Sequence, residues 1–335
     1  MSVQALRPSR LSTRQAGLAA LWPTTHRTTP HTIPHTIPHT TQPATLYTAM
    51  RSTTNDDMLT LHGPATPLHP IVLDSPHSGR RFPADFGSVL DEAALRDGED
   101  CFIDTLWRPA AERGIPLLAA EFPRTYIDPN RHPGDIDLDL LDGGHWPDVY
   151  LPSGKAALGK ALVWRLLDDG RAIYNRRLGV AELQQRIAQY HQPYHRALRE
   201  LLDTTHRRFG VVYHLNCHSM NATGGAMGEG GAGQARADMV LGDRDGSTCA
   251  PAFTNFVRDT LAGMGFEVAV NDPFKGVELV RAYADPAAGR HSLQLEINKR
   301  LYMDEAALAP HAGFAPLQAR MMALLDAICQ RFAAA

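Results

Sequence analysis

The sequence predicts a single α/β domain. Three observations carry that reading: short apolar runs alternate with stretches of helical apolar spacing, glycines close the helical stretches, and no linker interrupts the rhythm after about residue 68. At 335 residues, 44% apolar and 21% charged, the chain has ordinary globular composition and length enough for a real core.

The elements follow in order. Ile71 to Leu73 is a short apolar run; Glu92 to Arg113 has helical spacing (Leu95, Phe102, Ile103, Leu106, Ala110) closed by Gly114; and Ile115 to Phe122 is a second strand. A long helical stretch from Val180 to Phe209, kinked or split at Pro193, stops at Gly210 and hands over to a strand that begins at Val211. Further strands are predicted at Asp238 to Leu241, Phe266 to Val270, Val277 to Tyr283 and Ser292 to Asn298, with helices near Ala250 to Met264 and Phe314 to Phe332. Residues 1–57 are rich in Thr, Pro and His and carry the repeat His31-Thr32-Ile33-Pro34-His35-Thr36-Ile37-Pro38-His39, so a disordered extension is expected there. A start at Met50 or Met58 explains it better than a transit peptide, because proline every fourth residue forbids an amphipathic helix.

Charge excludes one class of partner. Residues 1–55 hold five Arg and no acid, which leaves 28 basic against 36 acidic groups in the remainder. An acidic body lacks the concentrated basic surface that nucleic acid requires. No run of about 18 apolar residues offers a membrane span. The four cysteines form no CxxC pair or dense framework, which fits reduced thiols and a cytoplasmic setting.

The chemistry lies at strand ends. Asp74-Ser75-Pro76-His77-Ser78-Gly79 follows the first strand, and Asn216-Cys217-His218-Ser219-Met220 ends a later one. In open α/β sheets ligands gather beyond the carboxyl ends of strands, so His77 and His218 are placed to share a metal ion. A catalytic zinc usually takes three protein ligands, and Asp100 is the expected third, with Asp104 and Glu99 on the same predicted helix as alternatives. His214 shares a strand face with His218 but is expected to serve in the core or behind the ligands; His191 and His195 are expected to pack at the surface or near substrate.

Arg124, Asn130 and Arg131 offer the planar paired donors that match carboxylates, and Arg281, a charge within an apolar run, is expected either to add another contact or to salt-bridge within the sheet. Glu296 alternates onto the polar face of its strand, where a carboxylate can take a proton from water and pass it to a leaving amine; pairing with Arg281 or Lys299 is the plainer alternative. Gly228-Glu229-Gly230-Gly231-Ala232-Gly233 matches GxGxxG formally but lacks the compact strand-turn-helix setting of a dinucleotide site, and is expected to be a mobile loop over the site. Asp135, Asp137 and Asp139 lack the glycine of a calcium loop.

Taken in order, Ser75-Pro76-His77-Ser78-Gly79, the Asp100 to Asp104 segment, Arg124 to Arg131, Pro193-Tyr194-His195, Asn216 to Met220, Gly242 to Cys249 and His291 to Glu296 resemble the N-formylglutamate amidohydrolases over about residues 70 to 305. The resemblance implies a fold similar to zinc carboxypeptidases and aspartoacylases, a mixed sheet between helices. It implies one Zn2+ per chain, or another divalent metal, an N-acyl acidic amino acid as substrate, the Arg-Asn-Arg group binding its carboxylates, Glu296 as proton shuttle, and a place in histidine breakdown. Two positions depart from the pattern: Arg80 stands where those relatives carry a zinc-ligating Glu three residues after the first His, and Pro129 precedes Asn130. Deacylation of another N-acyl acidic amino acid, or carboxylate binding without catalysis, are the rival readings.

Overall fold

The computed structural model describes residues 58–225 and 231–332. The extension expected at 1–57 and the middle of the glycine-rich loop lie outside the described residues. Strands β1 (Leu59–His62), β2 (Ile71–Ser75), β3 (Leu117–Ala120), β4 (Val212–Met220), β5 (Met239–Gly242), β6 (Val268–Val270) and β7 (Arg290–Asn298) form one sheet in the order β1-β3-β2-β4-β7-β5-β6. The sheet is mixed: β2 runs parallel to β3 and β4, β4 parallel to β7, and β5 parallel to β6, whereas β1 is antiparallel to β3 and β5 to β7. The helices are α1 (Glu92–Leu95), α2 (Ile103–Trp107), α3 (Val180–Arg186), α4 (Gln192–Phe209), α5 (Pro251–Gly263), α6 (Glu278–Tyr283) and α7 (Phe314–Phe332).

Side-chain alternation divides the core into two layers. Leu73, Leu215, Cys217, Leu293 and Leu295 pack with Trp107 of α2, Phe253 and Val257 of α5, and Met321, Leu325 and Ile328 of α7. Val72, Leu118 and Val212 face the other way, against Tyr194, Leu198 and Leu202 of α4. That second face changes character along the strands. Beyond Val72 and Val212 its next residues are Asp74 on β2 and His214, Asn216 and His218 on β4, all buried, with Gln294 and Glu296 paired in register to Asn216 and His218 on β7. The carboxyl ends of the three central strands therefore share one polar face.

Two expected elements take other forms. The stretch 92–113 is not one helix: α1 and α2 are separated by residues 96–102, with Phe102 left-handed at φ 64°, and a 3₁₀ turn spans Arg108–Arg113. Tertiary hydrogen bonds win over local propensity here. The Asp100 N–H donates to His77 O, Ser78 Oγ donates to Asp100 O, and Tyr302 Oη donates to Cys101 O. Residues 277–283 were expected as a strand but contain helix α6, because short apolar runs fit either period. Leu279 and Tyr283, one turn apart, pack on the second core layer, and Glu278 sits in the first turn, where the helix dipole favours an acid.

The expected break near Pro193 is a π turn over Ile187–His191 that leads directly into α4. The widened turn accommodates the missing N–H of Pro193 without ending the helix. At its other end, α4 closes on Gly210 with φ 71°, as the glycine signal predicts.

Gly79 shows why the Ser-Pro-His-Ser-Gly turn needs its last residue. A Cβ built there would fall on the Glu121 carbonyl group, and the neighbouring Arg81 N–H donates to Glu121 O. Gly79→Ala should cost about 1–3 kcal/mol by overpacking against rigid backbone, read as a lower midpoint in denaturant unfolding.

Candidate active site

The site is assembled from the ends of β2 and β4 and the non-helical segment before α2. His77 Nδ1 lies 3.2 Å and His218 Nδ1 2.9 Å from the same atom, Asp100 Oδ2, and the ligand atoms of the three residues all lie within 4.8 Å of one another. All three side chains are buried.

The partners of the opposite ring nitrogens decide what faces Asp100. His77 Nε2 is 2.7 Å from Asp128 Oδ1, on a fully buried carboxylate that also accepts from Arg124 Nη2 at 2.6 Å and from the Asn130 N–H at 2.8 Å. Burial opposes the charge on Asp128, but Arg124, His77 and Arg131 outweigh it and hold the carboxyl well below its usual range. An ionised Asp128 can only accept, so His77 carries its proton on Nε2. His218 Nε2 is 2.7 Å from Asn216 Oδ1, and the amide orientation of Asn216 is set by its Nδ2 donating to Asp74 Oδ1 at 2.8 Å. The 2.7 Å contact to Asn216 Oδ1 outweighs the 3.3 Å approach of the Asn130 amide nitrogen to the same atom and places the proton of the neutral ring on Nε2; burial lowers the pKa of His218, which favours that neutral ring.

In their neutral form both rings thus turn an Nδ1 lone pair toward one carboxylate. An imidazolium would keep the Asp128 and Asn216 contacts and donate from Nδ1 to Asp100 as well, and a bound cation would take the place of that second proton. Acceptors converging in this way call for a cation. Ligand atoms about 2.0–2.1 Å from a tetrahedral zinc lie roughly 3.3 Å apart, close to the separations seen. The residues present fit a divalent metal bound through two Nδ1 atoms and a carboxylate, each ring backed by an acceptor on Nε2.

The other acids considered as ligands sit elsewhere. Asp104 accepts from Arg108 at 3.0 Å, and Glu99 accepts from Arg96 at 2.5 Å. Arg80, at the position of the missing Glu, is half-exposed and reaches Glu99 at 3.8 Å. Asp100 came into position because the predicted helix is broken before it. Its partnership with His77 and His218 is not a consequence of the i, i+4 spacing with Asp104.

Glu296 is buried in the same cleft, with Oε1 accepting from Gln294 Nε2 at 2.8 Å. Burial, then the charge of Asp100, pushes its pKa well above the usual carboxylate range against the pull of Arg124 and Arg236. It pairs with neither Arg281 nor Lys299. The cleft encloses about 860 Å³ of space including its open mouth, and its lining includes His77, Asp100, Arg124, Asn130, Arg131, His218 and Glu296.

Arg124 and Arg131 are held by more than their charge. Arg124 Nε and Nη2 both donate to Asp128 Oδ2, and its guanidinium lies 4.9 Å from the Trp164 ring. Arg131 donates to Lys160 O and Asn130 O. Asn130 Oδ1 accepts from Leu279 N at the start of α6, which turns its amide nitrogen toward His218 at 3.3 Å. Arg281 does not join this group. Because 277–283 contains a helix, its side chain runs back to Glu278 at 2.8 and 2.9 Å, half-exposed and outside the cleft lining.

Several supporting residues were not picked out from the sequence. The sequence assigns no role to Asp128 or Asp74, yet buried Asp74 gathers His214, Asn216 and Tyr194 Oη at 2.9, 2.8 and 2.6 Å. His191 and His195 stack at 4.1 Å and reach Arg131 O and Pro129 O, both at 2.9 Å, bracketing Asn130 from either side. Burial lowers both of their pKa values, His191 to about 3, so the rings act as neutral hydrogen-bond donors. The i, i+4 spacing was visible, but the loop it grips was not.

Comparison with known proteins agrees with this geometry. Residues 69–303 match the N-formylglutamate amidohydrolase family. The chain belongs to that family. It is 29% identical to N-formylglutamate deformylases of Pseudomonas aeruginosa over 243 residues (71% of this chain, 84% of that one) and of Pseudomonas putida over 240 residues (70% and 82%). The crystal structure of N-formylglutamate amidohydrolase from Ralstonia eutropha JMP134 superposes with a TM-score of 0.76 at 43% identity, covering 82% of this chain and 98% of that one. A gene product of Agrobacterium tumefaciens shares the fold at 18% identity and TM-score 0.58, covering 82% and 97%. Among the described residues no helix is long and apolar enough to cross a membrane.

Two outcomes follow from these contacts. Asp128→Asn removes the charge behind His77 and should weaken divalent-metal binding by roughly 10–100-fold, measured by competition with a chromogenic chelator. Lys160, in the cleft wall and ion-paired with Asp168, has its pKa lowered to about 8 by burial and then by Lys155, Arg124 and Arg131, against the pull of Asp97. It is charged below that pH and loses its charge above it. A rate constant kcat/KM for an anionic substrate should therefore fall as pH rises through about 8, and Lys160→Arg should move that fall to higher pH.

Proposed function

We propose that the protein hydrolyses N-formyl-L-glutamate to formate and L-glutamate with a zinc ion, or another divalent metal, held by His77, Asp100 and His218. The observation that carries the proposal is the convergence of two imidazole nitrogens and a carboxylate beside a buried Glu296, in a cleft whose lining includes Arg124, Arg131 and Lys160. Family membership supplies the reaction class. When bound, the metal would polarise the formyl oxygen and acidify a water.

This chain's own residues do the rest. Glu296 takes a proton from the attacking water and hands it to the amide nitrogen as the C–N bond breaks, and its raised pKa suits a group that must hold that proton between the two transfers. Arg124, Asn130 and Arg131 anchor substrate carboxylate, with Arg124 and Arg131 fixed in advance so that less freedom is lost on binding. Arg281, placed outside the cleft, is left out of this role. All four cysteines are free, which suits the reducing cytoplasm. In that compartment the reaction belongs to histidine breakdown, as the resemblance implies.

The deciding experiment is formate release from N-formyl-L-glutamate by the purified protein, with metal analysis in parallel. Turnover should vanish with a strong chelator and return on adding Zn2+. Glu296→Gln should lower kcat by ~10²–10⁴-fold while metal content stays at the wild-type level. Full turnover by that variant would remove Glu296 from the chemistry, and an inactive, metal-loaded wild type would leave a carboxylate-binding protein. N-acetyl- and N-succinyl-L-glutamate assayed alongside should be poorer substrates than the formyl compound.

A further inference from the structure

A substrate with two carboxylates needs two anionic subsites, and the group around Arg131 accounts for one. Lys299 follows β7 and is 6% exposed, yet among the described residues no carboxylate lies within ion-pair distance of it. Its ammonium donates to a neutral partner, Asn221 Oδ1, at 2.9 Å. Asp97, in the same cleft, acts on Lys299 only through space, and a buried cation hydrogen-bonded to an amide oxygen without a contacting anion is costly. Arg236 meets the same residue, donating from Nη1 to Asn221 O at 3.2 Å, with its guanidinium 5.0 Å from the Phe274 ring. Lys299, Arg236, Asn221 and Phe274 all line the cleft that holds Glu296.

Sheet order separates this pair from the first group. Arg124 follows β3, His77 follows β2, His218 is on β4 and Glu296 on β7, whereas Lys299 follows β7 and Arg236 precedes β5. Along β3-β2-β4-β7-β5 the candidate metal ligands stand between the two sets of cations. Arg124 and Arg236 are each near enough to Glu296 to act on its charge. Asn130 touches the His218 ring and Arg124 holds Asp128 against His77, so the first group is the one fastened to the candidate metal ligands and suits the α-carboxylate, two bonds from the amide nitrogen.

We propose that Lys299 and Arg236, joined through Asn221, form the subsite for the side-chain carboxylate of the substrate and so select an acidic N-formyl amino acid. The proposal rests on the deformylase reading above and adds to it the origin of side-chain selectivity. The selective contact is a charge-assisted hydrogen bond in a desolvated pocket, the kind of contact whose loss costs most.

The test compares N-formyl-L-glutamate with its uncharged isostere N-formyl-L-glutamine on the metal-loaded, full-length enzyme. The wild type should favour the glutamate compound in kcat/KM. Lys299→Met and Arg236→Met should each cut that preference by roughly 10–100-fold, whereas Arg131→Met should depress both substrates together. Turnover of the glutamine compound reports folding and metal loading within each variant. Lys299→Gln, which keeps a donor for Asn221, should lose the preference as well, and Lys299→Arg should retain most of it. A preference unchanged in the Lys299 and Arg236 variants, or equal losses on both substrates, overturns the subsite while leaving the deformylase reading intact. Absence of formate release from either substrate by the wild type overturns that reading, and the subsite with it.

Discussion

The protonation of two buried imidazoles governs the site. When neutral, both rings present an unprotonated Nδ1 to Asp100, because the Nε2 proton is committed to ionised Asp128 in one case and to the Asn216 amide oxygen in the other. Removing either acceptor frees a tautomer change that would aim an N–H at Asp100 and turn the cluster from a cation site into an ordinary hydrogen-bonded pair. The convergence of His77, Asp100 and His218 therefore depends on residues that do not touch a ligand.

Those supports come from separate parts of the fold. Asp74 on β2 orients Asn216 on β4 and is held by Tyr194 of α4, so the second core layer reaches the site through one hydroxyl. Three positions before and one after Tyr194, His191 and His195 fasten the peptides around Asn130. One helical segment thus positions both a ring tautomer and the loop proposed to bind carboxylate. A π turn just ahead of Pro193 keeps that segment continuous with α3.

Much of this was legible in the sequence, for stated physical reasons. Period-two alternation put Asn216 and His218, and Gln294 and Glu296, on shared faces, and the register of β4 with β7 sets those faces side by side. Gly210 and the helical spacing of Phe314–Phe332 marked elements that the structure contains. Other elements were misread where tertiary contacts prevail. The apolar spacing from 92 to 113 is helical, but hydrogen bonds from the His77-Ser78 turn hold Asp100 out of a helix, and Phe102 is left-handed. Val277 to Tyr283 is a short apolar run that fits either period, yet Leu279 and Tyr283 pack as a helical pair, and with that change Arg281 turns to Glu278 instead of the cleft.

By itself the sequence determined the α/β rhythm, the strand-end placement of the two histidines, and the identity of the cations and acids available for chemistry. These are local properties, set by side-chain period and by turn residues. Tertiary structure alone decided which acid meets the histidines, which ring nitrogen faces it, and which cations border the cleft. Those outcomes depend on groups brought together from distant positions, such as Asp74 with Asn216 or Lys299 with Asn221, where burial makes each hydrogen bond too costly to leave unmade.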